Sequence, residues 1–150
     1  PEVSLTNKPL AIAGLESKFN ATELKELITA GVLTLEERRG FRVVRAVTAN
    51  FNSGAFGQIT TRRIVDYARK GVRSASEPYI GLLNNDRVRK AMKGSINGFL
   101  AGMVDDEMLI SYDLDVTATR NEEIRGIAKV TLTLRPTFSI EFIKVVMFLE

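Results

Sequence analysis

Residues 138–149, one short of the end of the chain, carry apolar side chains on both faces of an extended strand, and this constrains the fold more than any other feature. Phe138, Ile140 and Phe142 fall on one side of a period-two strand, with Ser139 and Glu141 on the other. Beyond Phe142 the alternation fails. Ile143, Val145, Met147 and Leu149 make one face apolar, Val146 and Phe148 make the opposite face apolar, and only Lys144 interrupts. Both faces therefore need cover. A central place in a two-sided sheet supplies it from within the chain. The alternative is a strand completed by another subunit through strand addition, with Ile140, Phe142, Ile143, Val145, Val146, Met147 and Phe148 as the candidate contacts.

The 150 residues suit one domain, 1–150, with 1–20 as a loop-rich lead-in and 138–150 as the terminal strand. The chain opens on Pro1, so we expect a fragment whose upstream part is missing. There is no cysteine and no histidine, which removes thiol chemistry, Ser-His and Cys-His catalysis and imidazole zinc sites from this chain. No catalytic residue, metal ligand or cofactor is assigned. A net charge of +3 admits an anionic partner without demanding one. No apolar run reaches the roughly 18 residues of a membrane span, and no secretory signal opens the chain.

Asn20 or Thr22 caps an expected helix over Glu23 to Ala30, which stops at Gly31. A hairpin follows, pairing Val32 to Leu35 with Phe41 to Thr48 around a turn in which Gly40 takes positive φ. Asn50 to Gln58 is a loop rich in Asn, Ser and Gly before a helix that Thr60 or Thr61 would cap. It lacks the lysine and the spacing of a nucleotide phosphate loop. The helix from about Thr61 to Arg73 buries Ile64, Val65, Ala68 and Val72, and carries Arg62, Arg63, Arg69, Lys70 and Arg73 on its other faces, with Asp66 one turn from Arg62 and Lys70.

The next helix, about Asp86 to Met103, has a core stripe of Val88, Met92, Ile96, Phe99, Leu100 and Met103. Arg87, Arg89, Lys90 and Lys93 crowd its first two turns, where cations oppose the helix dipole. Such a cost points to an outside partner, or else to a solvated face. Gly94, Gly98 and Gly102 line one face, each costing on the order of 1 kcal/mol against Ala, so close packing against another backbone is the expected compensation.

Met108 to Thr119 alternates with Ile110, Tyr112, Leu114, Val116 and Ala118 inward, Arg120 to Glu123 turns the chain, and Ala128 to Arg135 alternates again before Pro136. Asp113 and Asp115 are expected to face Lys129 across this sheet. Two carboxylates on one strand without a third group make a poor metal or acid-base site. The expected class is α+β, a mainly antiparallel sheet with a C-terminal three-strand meander plus a hairpin, packed by about three helices.

Several phrases in this order resemble the C-terminal domain of contractile tail sheath proteins of myophage-like particles, prophages and tailocins. They are Ser4 to Leu10, Leu27 to Val32 leading into Val43 to Thr48, Ile59 to Tyr67, Tyr79-Ile80-Gly81, and Pro136 to Ile143. The resemblance spans nearly the whole chain through short phrases, so its weight lies in their order and spacing. It implies a structural, non-enzymatic subunit that stacks in rings around an inner tube and contracts when a baseplate triggers it, without a nucleotide. Other sheath subunits, the tube protein, the baseplate and a tail terminator are the implied partners. The implied location is a virion tail assembled in the bacterial cytoplasm, with no membrane. Swapped terminal strands would link neighbours, which agrees with the apolar terminal strand. The family's N-terminal arm has no counterpart before Pro1. A basic helix would face an acidic tube, here the helix with Arg87, Arg89, Lys90 and Lys93, with Arg62, Arg69 and Arg73 as a rival patch.

The alternative reading is a basic nucleic-acid-binding domain using Arg62, Arg63, Arg69, Lys70, Arg87 and Arg89. No recognisable binding motif supports it, and no aromatics interleave with the basic residues. An enzyme is the least supported reading.

Overall fold

Side-chain caps place the helices where turn chemistry requires them. A computed structural model describes residues 3–50 and 54–148. Helix α1, Ala21–Thr29, begins at Asn20, whose Oδ1 accepts from the Thr22 and Glu23 N–H groups at 3.0 Å each, while the Asn20 N–H donates to the Glu23 carboxylate at 2.8 Å. This reciprocal pair satisfies donors the helix itself cannot. The described chain divides into two compact units, Val3–Arg62 with the segment from Phe138 onward, and Arg63–Thr137.

In the first unit, β1 (Pro9–Leu10), β2 (Thr34–Glu37) and β3 (Phe41–Arg45) form an antiparallel sheet in the order β1-β3-β2. The expected hairpin forms with Gly40 at φ +93° and Arg39 at φ +52° in its turn, but its first strand is shifted: Val32 and Leu33 lie outside β2, whereas Glu36 and Glu37, expected in the turn, pair with Arg42 and Phe41. Gly31 ends the run out of α1 at φ +80°, and an added Cβ would sit 2.8 Å from the Ala49 carbonyl oxygen and 3.0 Å from that of Thr48. Val43, Ala46 and Val47 are the buried apolar residues among those described in this unit. The loop after β3 is tied down by Thr48 N–H to Gly57 O at 2.9 Å and Ile59 N–H to Ala46 O at 3.1 Å. Phe51 to Ser53, part of the Asn/Ser/Gly loop, lie outside the described residues. Helix α2 starts at Ile59, so Thr60 and Thr61 are buried in its first turn and do not cap it.

Helix α2 runs Ile59–Ser76, and α3, Asp86–Asp105, follows a short 3-10 turn and an Asn85 cap that accepts from the Val88 N–H at 2.9 Å. The second unit is completed by β4 (Leu109–Thr117), α4 (Arg120–Ile124) and β5 (Lys129–Pro136), with β4 and β5 antiparallel. Its core is Ile64 and Ala68 of α2, Met92, Ile96, Leu100 and Met103 of α3, then Met108, Leu109, Leu114 and Val116. Val72, Phe99, Val130, Leu132 and Leu134 pack around it half-buried. Gly71 allows α2 to approach α3, because a Cβ there would meet the Phe99 ring at 1.9 Å.

Other expectations are corrected in the second unit. The alternation of β4 slips at a bulge between Leu109 and Ser111, so Met108 and Leu109 are buried in succession and Ile110 is 66% exposed instead of inward. An extra residue in one strand breaks the period-two rule locally. The ladder sets Asp113 opposite Thr133, Asp115 opposite Thr131 and Lys129 opposite Thr117, so neither aspartate faces Lys129 directly. The expected turn at Arg120 to Glu123 is the helix α4, capped by Thr119 with Glu122 returning the bond. The α+β class stands. The C-terminal meander has two paired strands in this chain, and Phe138 to Phe148 joins no ladder among the described residues.

Carboxylates tie α3 and α4 together. Arg89 contacts Glu123 at 2.9 Å and Arg120 contacts it at 3.1 Å, and hydrogen bonds from Arg120 and then Arg89 hold the Glu123 carboxyl below its ordinary range. The Thr119 backbone N–H does the same to Glu122, and Lys90 does so to Asp86. A lowered native value means stability that is present above the ordinary carboxylate range and lost as pH falls through the lowered one. The melting temperature should therefore decline below about pH 4.5, and more gently in Glu123→Gln. Chemical denaturation should show Gly31→Ala losing on the order of 1–3 kcal/mol from forced positive φ and the carbonyl clash, whereas Gly14→Ala, with open space around it, should stay close to wild type.

Candidate functional site

The C-terminal segment is pinned at its root and bare beyond it. Gln58 and Ser139 exchange two hydrogen bonds, the Ser139 N–H donating to the Gln58 side-chain carbonyl at 3.1 Å and the Gln58 amide donating to the Ser139 carbonyl at 3.2 Å. This copies the pairing a neighbouring strand would give. Two residues on, the Glu141 carboxylate meets the Arg45 guanidinium at the end of β3, and the Glu141 side chain is only 5% exposed. The same guanidinium lies 4.9 Å from the centre of the Phe142 ring, within cation–π range. Arg45 thus holds the segment through both charge and ring.

From Phe142 outward the side chains meet solvent on both faces. Phe142, Ile143, Val145, Met147 and Phe148 are each more than 70% exposed, and Val146 is 60% exposed. Ile140, between the two anchors, is 83% exposed. Leu149 lies outside the described residues. Seven exposed apolar residues on one short extended segment form an edge of the kind that soluble proteins avoid unless it is to be paired. The sequence signalled the apolar run, and the polar side of Ser139 and Glu141 was visible. Their partners Gln58 and Arg45 were not, because they lie some eighty to a hundred positions earlier in the chain.

The basic helix separates into committed and open charges. Arg89, its side chain 14% exposed, is engaged with Glu123 and with the Asn84 side chain at 2.9 Å. Lys90 pairs with Asp86 at 2.7 Å, and Lys93 reaches Asp115 at 3.3 Å. Arg87 is exposed and makes no ion pair among the described residues. On α2, Arg63, Arg69, Lys70 and Arg73 are all exposed without a recorded ion pair among the described residues, and Arg62 stacks 5.7 Å from the Phe56 ring. The face expected to be the rival therefore carries more open charge than α3. Gly94, Gly98 and Gly102 are exposed, and a Cβ at any of them would meet no atom within 4 Å. Nothing within the described chain packs on that face.

A groove of about 440 Å³ is lined by Ile80, Leu82, Leu83, Val88, Met92 and Ile127 among others, and its one ionised side chain, Arg89, is already tied to Glu123. Among the described residues no group of three or more acids is placed to hold a metal, and no helix is long and apolar enough to cross a membrane.

Comparison with known proteins matches residues 52–150 to the family described as the phage tail sheath C-terminal domain. No curated protein matches the sequence. Among solved structures, the chain is similar to one in the cryo-EM structure of the anti-feeding prophage (AFP) baseplate, with a TM-score of 0.90 and 18% identity, covering 99% of this chain and 45% of that one. It is similar to the AFP helical sheath in its contracted state at TM-score 0.86, 18% identity and 98% and 45% coverage. It is also similar to the PVC sheath complex of an extracellular contractile injection system, again contracted, at TM-score 0.81, 16% identity and 90% and 42% coverage. At these identities the likeness is one of fold, and the chain spans less than half the length of the chains it matches.

The root of the segment can be tested directly. Glu141→Ala leaves the largely enclosed Arg45 without its carboxylate, a loss of about 1–3 kcal/mol. Limited proteolysis should then cut between 138 and 142 several-fold faster than in wild type, while Ile143→Ser, one residue beyond the anchors, should leave that rate unchanged.

Proposed function

The chain belongs to the phage tail sheath C-terminal domain family, and from that membership we propose that it serves as a structural subunit of a contractile sheath, polymerising around an inner tube. The single observation that carries this reading is the segment Ile140 to Phe148, anchored at its root by Arg45 and Gln58 and uncovered on both faces beyond it. An extended apolar segment of this kind has backbone groups and side chains to offer a neighbour's sheet edge. Ile140, Phe142, Ile143, Val145, Val146, Met147 and Phe148 are the residues that would enter that shared sheet. The partners are further copies of the protein, the inner tube protein, and the baseplate and tail terminator that cap such a tail, in a particle assembled in the bacterial cytoplasm.

Contraction is then a change of packing between rigid subunits, with the strand links keeping the lattice connected and no nucleotide consumed. The tube would meet a basic face. Arg87 with Lys90, whose pair with Asp86 lies fully at the surface, remains the candidate on α3, and the open cations Arg63, Arg69, Lys70 and Arg73 make the α2 face the stronger contributor. Arg89 and Lys93 are held by Glu123 and Asp115, so their part is to position α3. The glycine face of α3 is open to a closely approaching backbone from another subunit. Membership of the sheath family favours the structural reading over a nucleic-acid-binding role.

Negative-stain electron microscopy of the intact protein, alone and with its tube protein, tests the reading. Rods or rings of uniform width are the expected result, and a monodisperse particle under both conditions would overturn it. Val146→Asp should abolish assembly while circular dichroism and the melting temperature match wild type, because Val146 is not part of the core.

A further inference from the structure

One groove in the second unit is both apolar and short of negative charge. It lies between α2 and α3, holds about 390 Å³, and is lined by Tyr67, Lys70, Gly71, Ser74, Ala75 and Phe99. Ala75 and Phe99 are half-buried and pack on the core beneath, so the floor belongs to the fixed interior of the unit. The Phe99 ring lies against Gly71, in space that any Cβ there would occupy. Tyr67 forms one wall. It is 43% exposed, and its ring is tilted 48° from that of Phe99 with the centroids 5.7 Å apart. A large apolar side chain entering the groove would meet both rings and leave water behind.

The rim decides what such a side chain is attached to. Arg63, Tyr67, Lys70 and Ser74 follow the helical repeat along one face of α2, and all four are exposed. The Lys70 ammonium and the Tyr67 and Ser74 hydroxyls have no hydrogen bond or ion pair among the described residues, and no carboxylate is among the residues that line the groove. Asp66 is the one acid of α2, against Arg62, Arg63, Arg69, Lys70 and Arg73, and it is already engaged. An apolar floor under a cationic rim fits a segment whose apolar side chain is flanked by carboxylates, because burial and charge pairing are then satisfied together. The larger groove beside Ile127 carries no such indication, since its Arg89 is tied to Glu123.

We propose that this groove docks an acidic segment of a partner protein, which seats one large apolar side chain between Tyr67 and Phe99 while its flanking carboxylates meet Lys70 and Arg63. The proposal rests on reading α2 as a docking face and deepens it, naming the chemistry of what that face receives. Charge alone would give a contact that shifts along the helix and fades with salt. A seated side chain fixes its place. The cations then steer the encounter and select an acidic partner, and the buried apolar surface supplies the part of the affinity that salt does not screen.

The test uses the intact protein and two fluorescently labelled peptides, one with a pair of leucines set between acidic pairs and one with glycines in place of the leucines, read by anisotropy at physiological salt. The leucine peptide should bind roughly tenfold tighter than the glycine peptide, the difference that burying an apolar side chain makes. Ser74→Trp fills the groove from an exposed helix position without changing charge, and should abolish that preference. Tyr67→Ala removes the aromatic wall and should do the same. Lys70→Glu should weaken both peptides roughly tenfold through like-charge repulsion. Equal binding of the two peptides to wild type overturns the groove and leaves α2 as a charged face, whereas binding of neither overturns both. A preference that survives in Ser74→Trp and Tyr67→Ala also overturns the groove. Peptide binding needs no rods, so a failure of wild type to assemble counts against the sheath reading and leaves this result standing.

Discussion

The contact between Arg45 and Glu141 does more than any other to give the C-terminal segment a defined starting point. An apolar peptide attached only at its end would fold back or aggregate, since nothing would direct its two sticky faces. Here a largely enclosed carboxylate meets a guanidinium that also touches the Phe142 ring from one side, and the Gln58 amide clips the backbone two residues earlier. The combination spends polar side chains on a segment whose remaining residues are apolar. That division, polar at the root and apolar beyond, turns a liability into a directed strand. Without the anchor the exposed residues would be a hazard; with it they project from a fixed place.

Local chemistry explains which parts of this architecture could be read from the sequence. The helices announced themselves through Asn20 and the 3.6-residue stripe of Met92, Ile96, Leu100 and Met103, because caps and core faces depend on near neighbours in the chain. The hairpin at Gly40 was equally legible. Helix α4 reads as a turn in the sequence, since its five residues are too short to show periodicity, although Thr119 and Glu122 form a capping box. The bulge at Ile110 was not legible. It follows from how Met108 and Leu109 are both drawn into the core after the α3 turn, and alternation alone cannot show that a strand changes phase. The partners of Glu141, Arg89 and Lys93 were hidden for a related reason: each lies on another element.

Charge shows the same division between sequence and structure. A count of cations in the first turns of α3 suggests a uniformly basic surface, yet Asp86, Asp115 and Glu123 take up three of the four. What remains open is Arg87 and the exposed side of α2. Net charge could not have distinguished these, because pairing, and not number, decides what a partner meets. The glycines of α3 were recognised as costly, and the structure adds that the cost is not repaid inside the described chain.

The displaced phase of β4 has a mechanical consequence. A plain two-stranded ribbon can slide by two residues and keep every side chain on its own face. The extra residue at Ile110 acts as a key in a slot, since only one alignment of β4 and β5 accommodates it together with the eight partnered positions of the ladder. A ribbon keyed in this way resists creep when pulled along its length. The strand that leads directly into the C-terminal segment is therefore built to keep its alignment under tension.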